Sequence, residues 1–131
     1  MIRFAQALSL CGAVALAAMP AVASDLVVRE VLQEEPLTDA PDMTVRITRV
    51  TLKPGGVIER HAHAGDEHLV VLTGGKLRIG DGQEITLAEG TVMFHSAGDG
   101  HGPYTNLGTA DIVVLTTHVV RVYEPFSWPV E

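Results

Sequence analysis

The sequence predicts a small all-β domain, an antiparallel β-barrel or sandwich, preceded by an N-terminal leader. From Met43 onward, short apolar segments follow one another, each bounded by Gly, Pro, Asp or Asn. Turn signals separate these segments, and no helical period competes with them after residue 25. Several segments are apolar on both faces, which predicts that one face lines a barrel while the other is covered by a second sheet or a second subunit.

The predicted strands begin and end at clear turn signals. Their ranges are 44–52, 57–63, 68–73, 76–79, 84–87, 92–95 and 112–120. The turns between them include Lys53-Pro54-Gly55-Gly56, Thr73-Gly74-Gly75, Gly80-Asp81-Gly82 and Glu89-Gly90. Residues 24–42 are predicted to form an N-terminal strand or arm that leads into a loop, and residues 43–131 the barrel domain with a C-terminal tail.

The first 23 residues have the composition of a secretory signal peptide. Arg3 precedes an apolar stretch, and Ala21-Val22-Ala23 forms a small-residue cleavage site before Ser24. The apolar stretch is shorter than the about 20 residues of a membrane span. We therefore expect cleavage after Ala23, a periplasmic or secreted product, and no membrane association after cleavage.

The mature chain is short, acidic and free of cysteine. Cleavage after Ala23 leaves 108 residues, enough for one domain, and the single cysteine, Cys11, is lost with the leader. One of the nine Lys and Arg residues also lies in the leader, so eight remain against 16 Asp and Glu, a formal charge of −8. This balance argues against nucleic-acid or anionic-membrane partners.

One stretch of 20 residues carries the spacing of a metal site. It reads G-x5-H-x-H-x3-E-x6-G and contains Gly55, His61, His63, Glu67 and Gly74. Imidazole nitrogens and one carboxylate suit a divalent first-row metal, and such mixed sets usually leave coordination positions open. The sequence thus predicts a site able to bind a further ligand.

Strand geometry gives this spacing a reason. Residues two apart on a strand point to the same side, so His61 and His63 face one cavity and the residue between them points away. We expect a hairpin at residues 64–66 to fold the Glu67 carboxylate back over both imidazoles. His101 lies in a separate Gly-rich loop that can approach a metal closely and is the predicted fourth ligand.

These residues resemble the motifs of the cupin superfamily over roughly residues 44–120. The first family motif, G(X)5HXH(X)3-4E(X)6G, matches at every fixed position. The second, G(X)5PXG(X)2H(X)3N, matches at Gly90, Gly98 and His101. Ser96 replaces its proline, Thr105 replaces its asparagine, and Asn106 stands one place late.

The resemblance implies a cupin-like jelly roll with His61, His63, Glu67 and His101 as ligands of one divalent ion, namely Fe, Mn, Ni, Cu or Zn. The family includes metal-dependent dioxygenases similar to quercetinases and cysteine dioxygenases, oxalate-cleaving enzymes, isomerases, lyases and pure binding domains. Our leading hypothesis is an exported oxygenase-type enzyme acting on a small organic molecule. The alternatives are a non-catalytic module that binds a small molecule or metal, and a cupin whose metal is structural.

Three further residues are candidates for catalysis, each with a plainer alternative. Glu59 would act as a general base or orient a ligand imidazole, or else form an ion pair with Arg78 or Arg49. His95 would shuttle protons at the cavity mouth, or else be an ordinary rim residue. Tyr104 would offer its phenol to a substrate, or else be a buried tyrosine bonded to the backbone.

The remaining features bear on packing. Strand alternation predicts that His68 points away from the metal, and the apolar strand around His118 predicts a core or interface position for that side chain. The aromatic, Pro-rich tail at residues 123–129 would cover the barrel mouth or pack across a dimer, of which packing is the commoner use. A homodimer is expected.

Overall fold

The computed structural model describes residues 25–131, so the predicted signal peptide lies outside the described residues. Within this range the chain forms strands and no helix, and hence no helix long and apolar enough to cross a membrane. The eleven strands are β1 (Val27–Leu37), β2 (Ala40–Leu52), β3 (Val57–Ile58), β4 (His61–His63), β5 (Asp66–Thr73), β6 (Gly75–Ile79), β7 (Gln83–Leu87), β8 (Val92–His95), β9 (Tyr104–Asn106), β10 (Ile112–Arg121) and β11 (Ser127–Pro129).

The strands form antiparallel sheets around one core. A five-stranded sheet has the order β1-β2-β10-β5-β8, a four-stranded sheet the order β3-β9-β6-β7, and β11 pairs with β4. Both larger sheets supply the buried core cluster, which consists of Leu52, Val71, Leu77, Leu87 and Ile112. Burying each of these side chains contributes about 1.5–3 kcal/mol. The predicted all-β, barrel-like jelly roll is confirmed.

The strand predictions are largely confirmed, with one correction. Residues 57–63 are not one strand, because β3 pairs with β9 and β4 pairs with β11. The chain thus changes partners at Glu59 and Arg60. The short strands β9 and β11 were not predicted, since each is only three residues long and is stabilised by partners distant in sequence. Residues 27–37 form a strand that pairs with β2 at the sheet edge.

The chain between β8 and β9 carries His101 into the barrel. A turn that begins at Ser96 is closed by a hydrogen bond from the Asp99 amide to the Ser96 carbonyl (3.0 Å), without the proline of the family motif. Gly98 within it has φ +76°, a left-handed conformation that favours glycine. The turn therefore forms even though Ser96 replaces the proline of the family motif.

The loop that follows β9 is held by a buried amide. The Asn106 side chain is only 1% exposed, and its Nδ2 donates to the carbonyls of Leu52 (2.8 Å) and Ala110 (2.9 Å). Its Oδ1 accepts from the Gly108 amide (2.8 Å). An apolar residue at position 106 would remove the hydrogen-bond partners of these two carbonyls and this amide. Each buried group left without a partner would destabilise the fold by about 1–3 kcal/mol.

Candidate metal centre

Backbone pairing brings the three predicted imidazole ligands together. His61 and His63 lie on β4, and the backbones of His61 and His101 exchange two hydrogen bonds of 3.0 and 2.9 Å. The ring centroids of His61 lie 4.8 Å from His63 and 4.4 Å from His101, and those of His63 and His101 lie 5.3 Å apart. All three side chains line the same cavity.

Each of these imidazoles is oriented by a backbone carbonyl at its Nδ1 atom. The acceptors for His61, His63 and His101 are the carbonyls of Glu59 (2.7 Å), Phe126 (3.1 Å) and Asp99 (3.0 Å). A carbonyl can only accept, so each Nδ1 carries the proton and, in the neutral ring, each Nε2 keeps its lone pair. Ligand histidines in metal sites are commonly fixed in this way.

Glu67 supplies the carboxylate from a different sheet than the two histidines of β4. It is buried on β5, and its Oε2 lies 3.1 Å from His101 Nε2 and 3.9 Å from His63 Nε2. The expected hairpin at residues 64–66 is not present, because β5 pairs with β10 and β8 rather than with β4. The carboxylate meets the imidazoles inside the cavity that all of them line.

The electrostatics of the cluster favour an ionised Glu67. Burial by itself would raise its pKa, but the His101 and His118 ring nitrogens outweigh that effect and hold the pKa well below its usual range. Burial, assisted by His118, lowers the pKa of His63 to about 4. Burial also acts to lower the pKa of His101, yet its contact with Glu67 raises the pKa above its ordinary value.

The cluster holds buried polar atoms that lack hydrogen-bond partners among the described residues. They are Glu67 Oε2, His101 Nε2 and both ring nitrogens of His118. Glu67 Oε2 and His101 Nε2 lie 3.1 Å apart but are not aligned for a hydrogen bond. An unpaired buried polar group costs about 1–3 kcal/mol, and a divalent cation would satisfy both atoms. The residues present therefore fit a metal ion.

Potential ligand atoms form three overlapping groups, each with its atoms within 4.8 Å of one another. The groups are His61, His63 and His101; His63, Glu67 and His118; and Glu67, His95 and His101. The four predicted ligands belong to these groups, and two further histidines extend the cluster. Sequence reasoning did not place His118 there.

His118 enters the cluster through strand register. On β10 it pairs with Glu67 of β5, and its Nε2 lies 3.4 Å from Glu67 Oε1. It is buried, as the apolar strand predicted, but it faces the cavity. The available signal was the alternation on β10, where Ile112, Val114, Thr116 and His118 share one face. The alternation alone does not tell which face points inward.

Two of the three candidate catalytic residues line the cavity beside the cluster. The His95 ring stacks on His101 with centroids 4.0 Å apart, and the Tyr104 hydroxyl lies 3.5 Å from His95 Nε2. Burial lowers the pKa of His95 and raises the pKa of the Tyr104 phenol.

The Glu59 side chain is exposed and lies in a groove outside this cavity, so only its carbonyl reaches the site, through His61. Neither proposed ion-pair partner of Glu59 is available to it. Arg49 pairs with Glu30 (2.9 Å) and Arg78 with Glu84 (3.6 Å), both on the protein surface. His68, in contrast, lies where alternation predicted. It is exposed, and its ring contacts Phe94 (4.8 Å) on the outer side of the sheet.

The cavity has a polar end and an apolar end. Its volume is about 110 Å³. The wall beyond the histidines is apolar and includes Val50, Leu52, Leu69, Leu77, Leu87, Met93, Ile112 and Val114. Apart from imidazoles, Arg29 of β1 is the only cationic side chain between residues 25 and 131 that lines this cavity.

The C-terminal tail closes one side of the site. Strand β11 pairs with β4, and the Phe126 ring contacts the rings of His63 (5.0 Å) and His118 (4.8 Å). The Arg46 guanidinium carbon lies 4.2 Å from the centre of the same phenyl ring. The tail was predicted either to cover the barrel mouth or to pack across a dimer. Within a single chain, it covers one side of the barrel.

Known structures share this fold at low sequence identity. A cupin domain from Bordetella pertussis is 21% identical with a TM-score of 0.55, and the match covers 71% of this chain and 92% of that one. A double-stranded β-helix protein from Klebsiella pneumoniae is 20% identical with a TM-score of 0.55, covering 80% and 84%. The DMSP lyase DddQ from Ruegeria pomeroyi is 17% identical with a TM-score of 0.57, covering 80% of this chain but 52% of the lyase.

At these identities the solved structures establish the fold alone. No curated protein matches the chain in sequence. The cupin domain model, however, matches residues 48–118, more than half of the chain and the segment that holds every residue of the histidine cluster. With its jelly-roll sheets and both motif regions inside that match, the chain belongs to the cupin domain family.

Proposed function

We propose that this protein is an exported, metal-dependent cupin that acts on a small organic molecule by oxygenase-type chemistry. The observation that carries the proposal is the orientation of His61, His63 and His101. Each directs a free Nε2 into a cavity that also holds the buried Glu67 carboxylate. A closed structural zinc site usually relies on cysteines, which this domain lacks.

The four predicted ligands would hold one divalent ion, and the rest of the cavity would hold the substrate. When bound, the ion supplies open coordination positions and, in the case of Fe, Mn, Ni or Cu, redox chemistry that Zn lacks. Glu67 contributes one negative charge, which partly balances the ion. The apolar wall excludes water and packs against the carbon skeleton of a substrate.

Tyr104 and His95 are suited to proton transfer at the edge of the cluster. The phenol oxygen and His95 Nε2 lie 3.5 Å apart, and both side chains line the cavity. The Tyr104 phenol is protonated near neutral pH and burial raises its pKa further, so its O–H can donate to a developing negative charge on a substrate. These two residues are our candidates for catalytic groups beside the metal ligands.

Export and dimerisation belong to the same proposal. Export is supported by the composition of residues 1–23. A homodimer is supported by exposed apolar side chains on the outer face of the five-stranded sheet, including Val92 (71% exposed) and Phe94 (53% exposed).

The first test is the metal content of the exported protein, purified without nickel resin or chelator and measured by mass spectrometry. We expect about one Fe, Mn, Ni or Cu ion per chain. Failure to take up any divalent metal, even after reconstitution, would refute the proposal.

The second test is oxygen uptake and product formation by the metal-loaded protein over phenolics, thiols and organic acids. DMSP is added to this panel because a structurally similar enzyme is a DMSP lyase. Turnover that consumes oxygen supports the oxygenase proposal, and DMSP cleavage without oxygen uptake would replace it with lyase chemistry. Metal binding without any turnover would favour the binding module, whereas chelation that unfolds the domain would favour a structural metal.

A further inference from the structure

Arg29 lies on the inner face of the five-stranded sheet, at the edge formed by β1. Register places it beside Val50 of β2, which in turn pairs with Val114 of β10, and all three side chains line the cavity. Paired residues of antiparallel strands share a face. The next residue, Glu30, points outward and pairs there with Arg49 (2.9 Å).

The Arg29 guanidinium has no carboxylate within ion-pair distance among residues 25–131. The other arginines on this sheet have such partners, since Arg46 pairs with Glu34, Arg49 with Glu30 and Arg121 with Glu124. Arg29 also lines the groove outside the cavity, next to the C-terminal tail. It therefore stands at the boundary between the apolar interior and solvent, with its charge free for a ligand.

Arg29 shares its surroundings with a predicted metal ligand. The cavity and the groove outside it are each lined by both Arg29 and His61. Although the chain as a whole has a formal charge of −7, the Arg29 guanidinium places a positive charge at the boundary of the cavity, where it attracts an anion.

We propose that Arg29 binds the carboxylate of a small monocarboxylic acid whose apolar part occupies the cavity beside the metal ligands. The inference rests on the proposed function and names its class of substrate. A guanidinium matches a carboxylate with two parallel N–H donors, and the cavity wall behind Arg29 is mostly apolar, interrupted by Thr48 and Thr116. Since an apolar cavity of about 150 Å³ binds benzene, the 110 Å³ here suits a short carbon chain.

The test compares butanoate with butanamide, which has the same size and no charge. Binding of each to the ¹⁵N-labelled protein, expressed from the full-length chain, is followed by NMR titration in the metal-free and the Zn²⁺-loaded state. Arg29→Gln should weaken butanoate binding about tenfold or more and leave butanamide binding unchanged. Arg29→Lys should restore part of the loss, because it keeps the charge without the planar fork.

Arg49→Gln is the matched control, since Arg49 lies on the same sheet but faces outward, and it should change neither affinity. The inference is overturned if butanoate does not bind, if butanamide binds equally well, or if the two glutamine variants lose the same amount.

The two proposals fail in different ways. A protein that binds no divalent metal but keeps an Arg29-dependent preference for butanoate would refute the metal function and support the carboxylate site. A protein that binds Zn²⁺, and loses butanoate binding in His63→Ala but not in Arg29→Gln, would show that the acid binds at the metal alone. That result would refute the role of Arg29.

Discussion

The Nδ1 hydrogen bonds of His61, His63 and His101 decide which atom of each ring is available to a metal. All three acceptors are backbone carbonyls, which stay in place when side chains are substituted. A ring fixed in this way loses little further conformational freedom when it binds an ion, so less of the binding energy is spent on ordering it. The geometry that these three rings would offer to a metal is thus set by the backbone around each histidine.

His63 of β4 lines the cavity, whereas His68 of β5 lies on the outer side of the sheet. His63→Ala should lower affinity for Zn²⁺ or Mn²⁺ by about 100-fold or more, because it removes an oriented ligand, whereas His68→Ala should change affinity by less than about twofold. Competition titration with a metal indicator measures both. Equal losses in the two variants would contradict the register of β4 and β5.

Metal binding should weaken as the pH falls, with His101 as the controlling group. Its pKa is raised by Glu67, so a metal must displace a proton from His101, whereas His63, with a pKa of about 4, is already neutral. Affinity should be constant above the His101 pKa and fall about tenfold per pH unit below it. Titrations between about pH 5 and about pH 8 test this, and a slope of two protons would implicate a second histidine.

His101 should also make the metal-free protein less stable as the pH rises, whereas metal binding weakens as the pH falls. A raised histidine pKa contributes stability that is fully present below the ordinary value of 6.5 and is lost as the pH rises through the folded-state pKa. His101→Gln should remove this component from thermal unfolding curves. If the component persists in that variant, another group carries it.

At the scale of elements, the short C-terminal tail supports strand β4, which carries His61 and His63. Strand β11 is three residues long, yet it pairs with β4 opposite both histidines, and the carbonyl of Phe126 just before it orients His63. The Val130 amide also donates to the Arg60 carbonyl (3.3 Å). The tail therefore acts as the partner strand that β4 would otherwise lack.

Removing residues 124–131 should weaken metal binding by about 10- to 100-fold, because His63 loses the acceptor of its Nδ1 proton. Phe126→Ala keeps that carbonyl and should weaken binding less. Tyr123→Ser is the control, since that side chain is 87% exposed, and it should bind metal normally. Circular dichroism of the metal-free variants checks that each is folded, and a folded truncation with full affinity would contradict the role of the tail.

At the scale of the whole molecule, the five-stranded sheet has one face in the core and one apolar face outside. Strand β8 is its edge, and next to it β5 exposes Leu72. An apolar edge strand that lacks a partner favours association with a second chain. The proposed homodimer would cover this face and would leave the groove lined by β4 and β11 uncovered.

Phe94→Glu should convert the proposed dimer into a monomer, because it places a charge in the middle of the apolar patch. Light scattering coupled to size-exclusion chromatography measures the mass. Val28→Glu, exposed on the outer side of β1 at the other edge of the sheet, is the matched control and should remain dimeric. A monomer from Val28→Glu alone would move the interface to β1, and an unaltered protein that is already monomeric would refute the dimer.

Much of this protein could be predicted from local patterns. Turn residues and alternating apolar segments determine the strands, because both act through the backbone of a few neighbouring residues. The spacing of His61 and His63 was likewise sufficient to place both side chains in one cavity, since alternation on a strand is a local property.

Only the tertiary structure decided which distant residues meet. His118 lines the cavity because of the register of β10 with β5, and Arg29 because of the register of β1 with β2. Phe126 lines it because β11 pairs with β4. A shift of one residue in the register of β10 or β1 would turn the His118 or Arg29 side chain outward. The hydrophobic pattern of the neighbouring strands would stay unchanged. Register is fixed by packing between sheets, and that information is spread over the whole chain rather than held in any one motif.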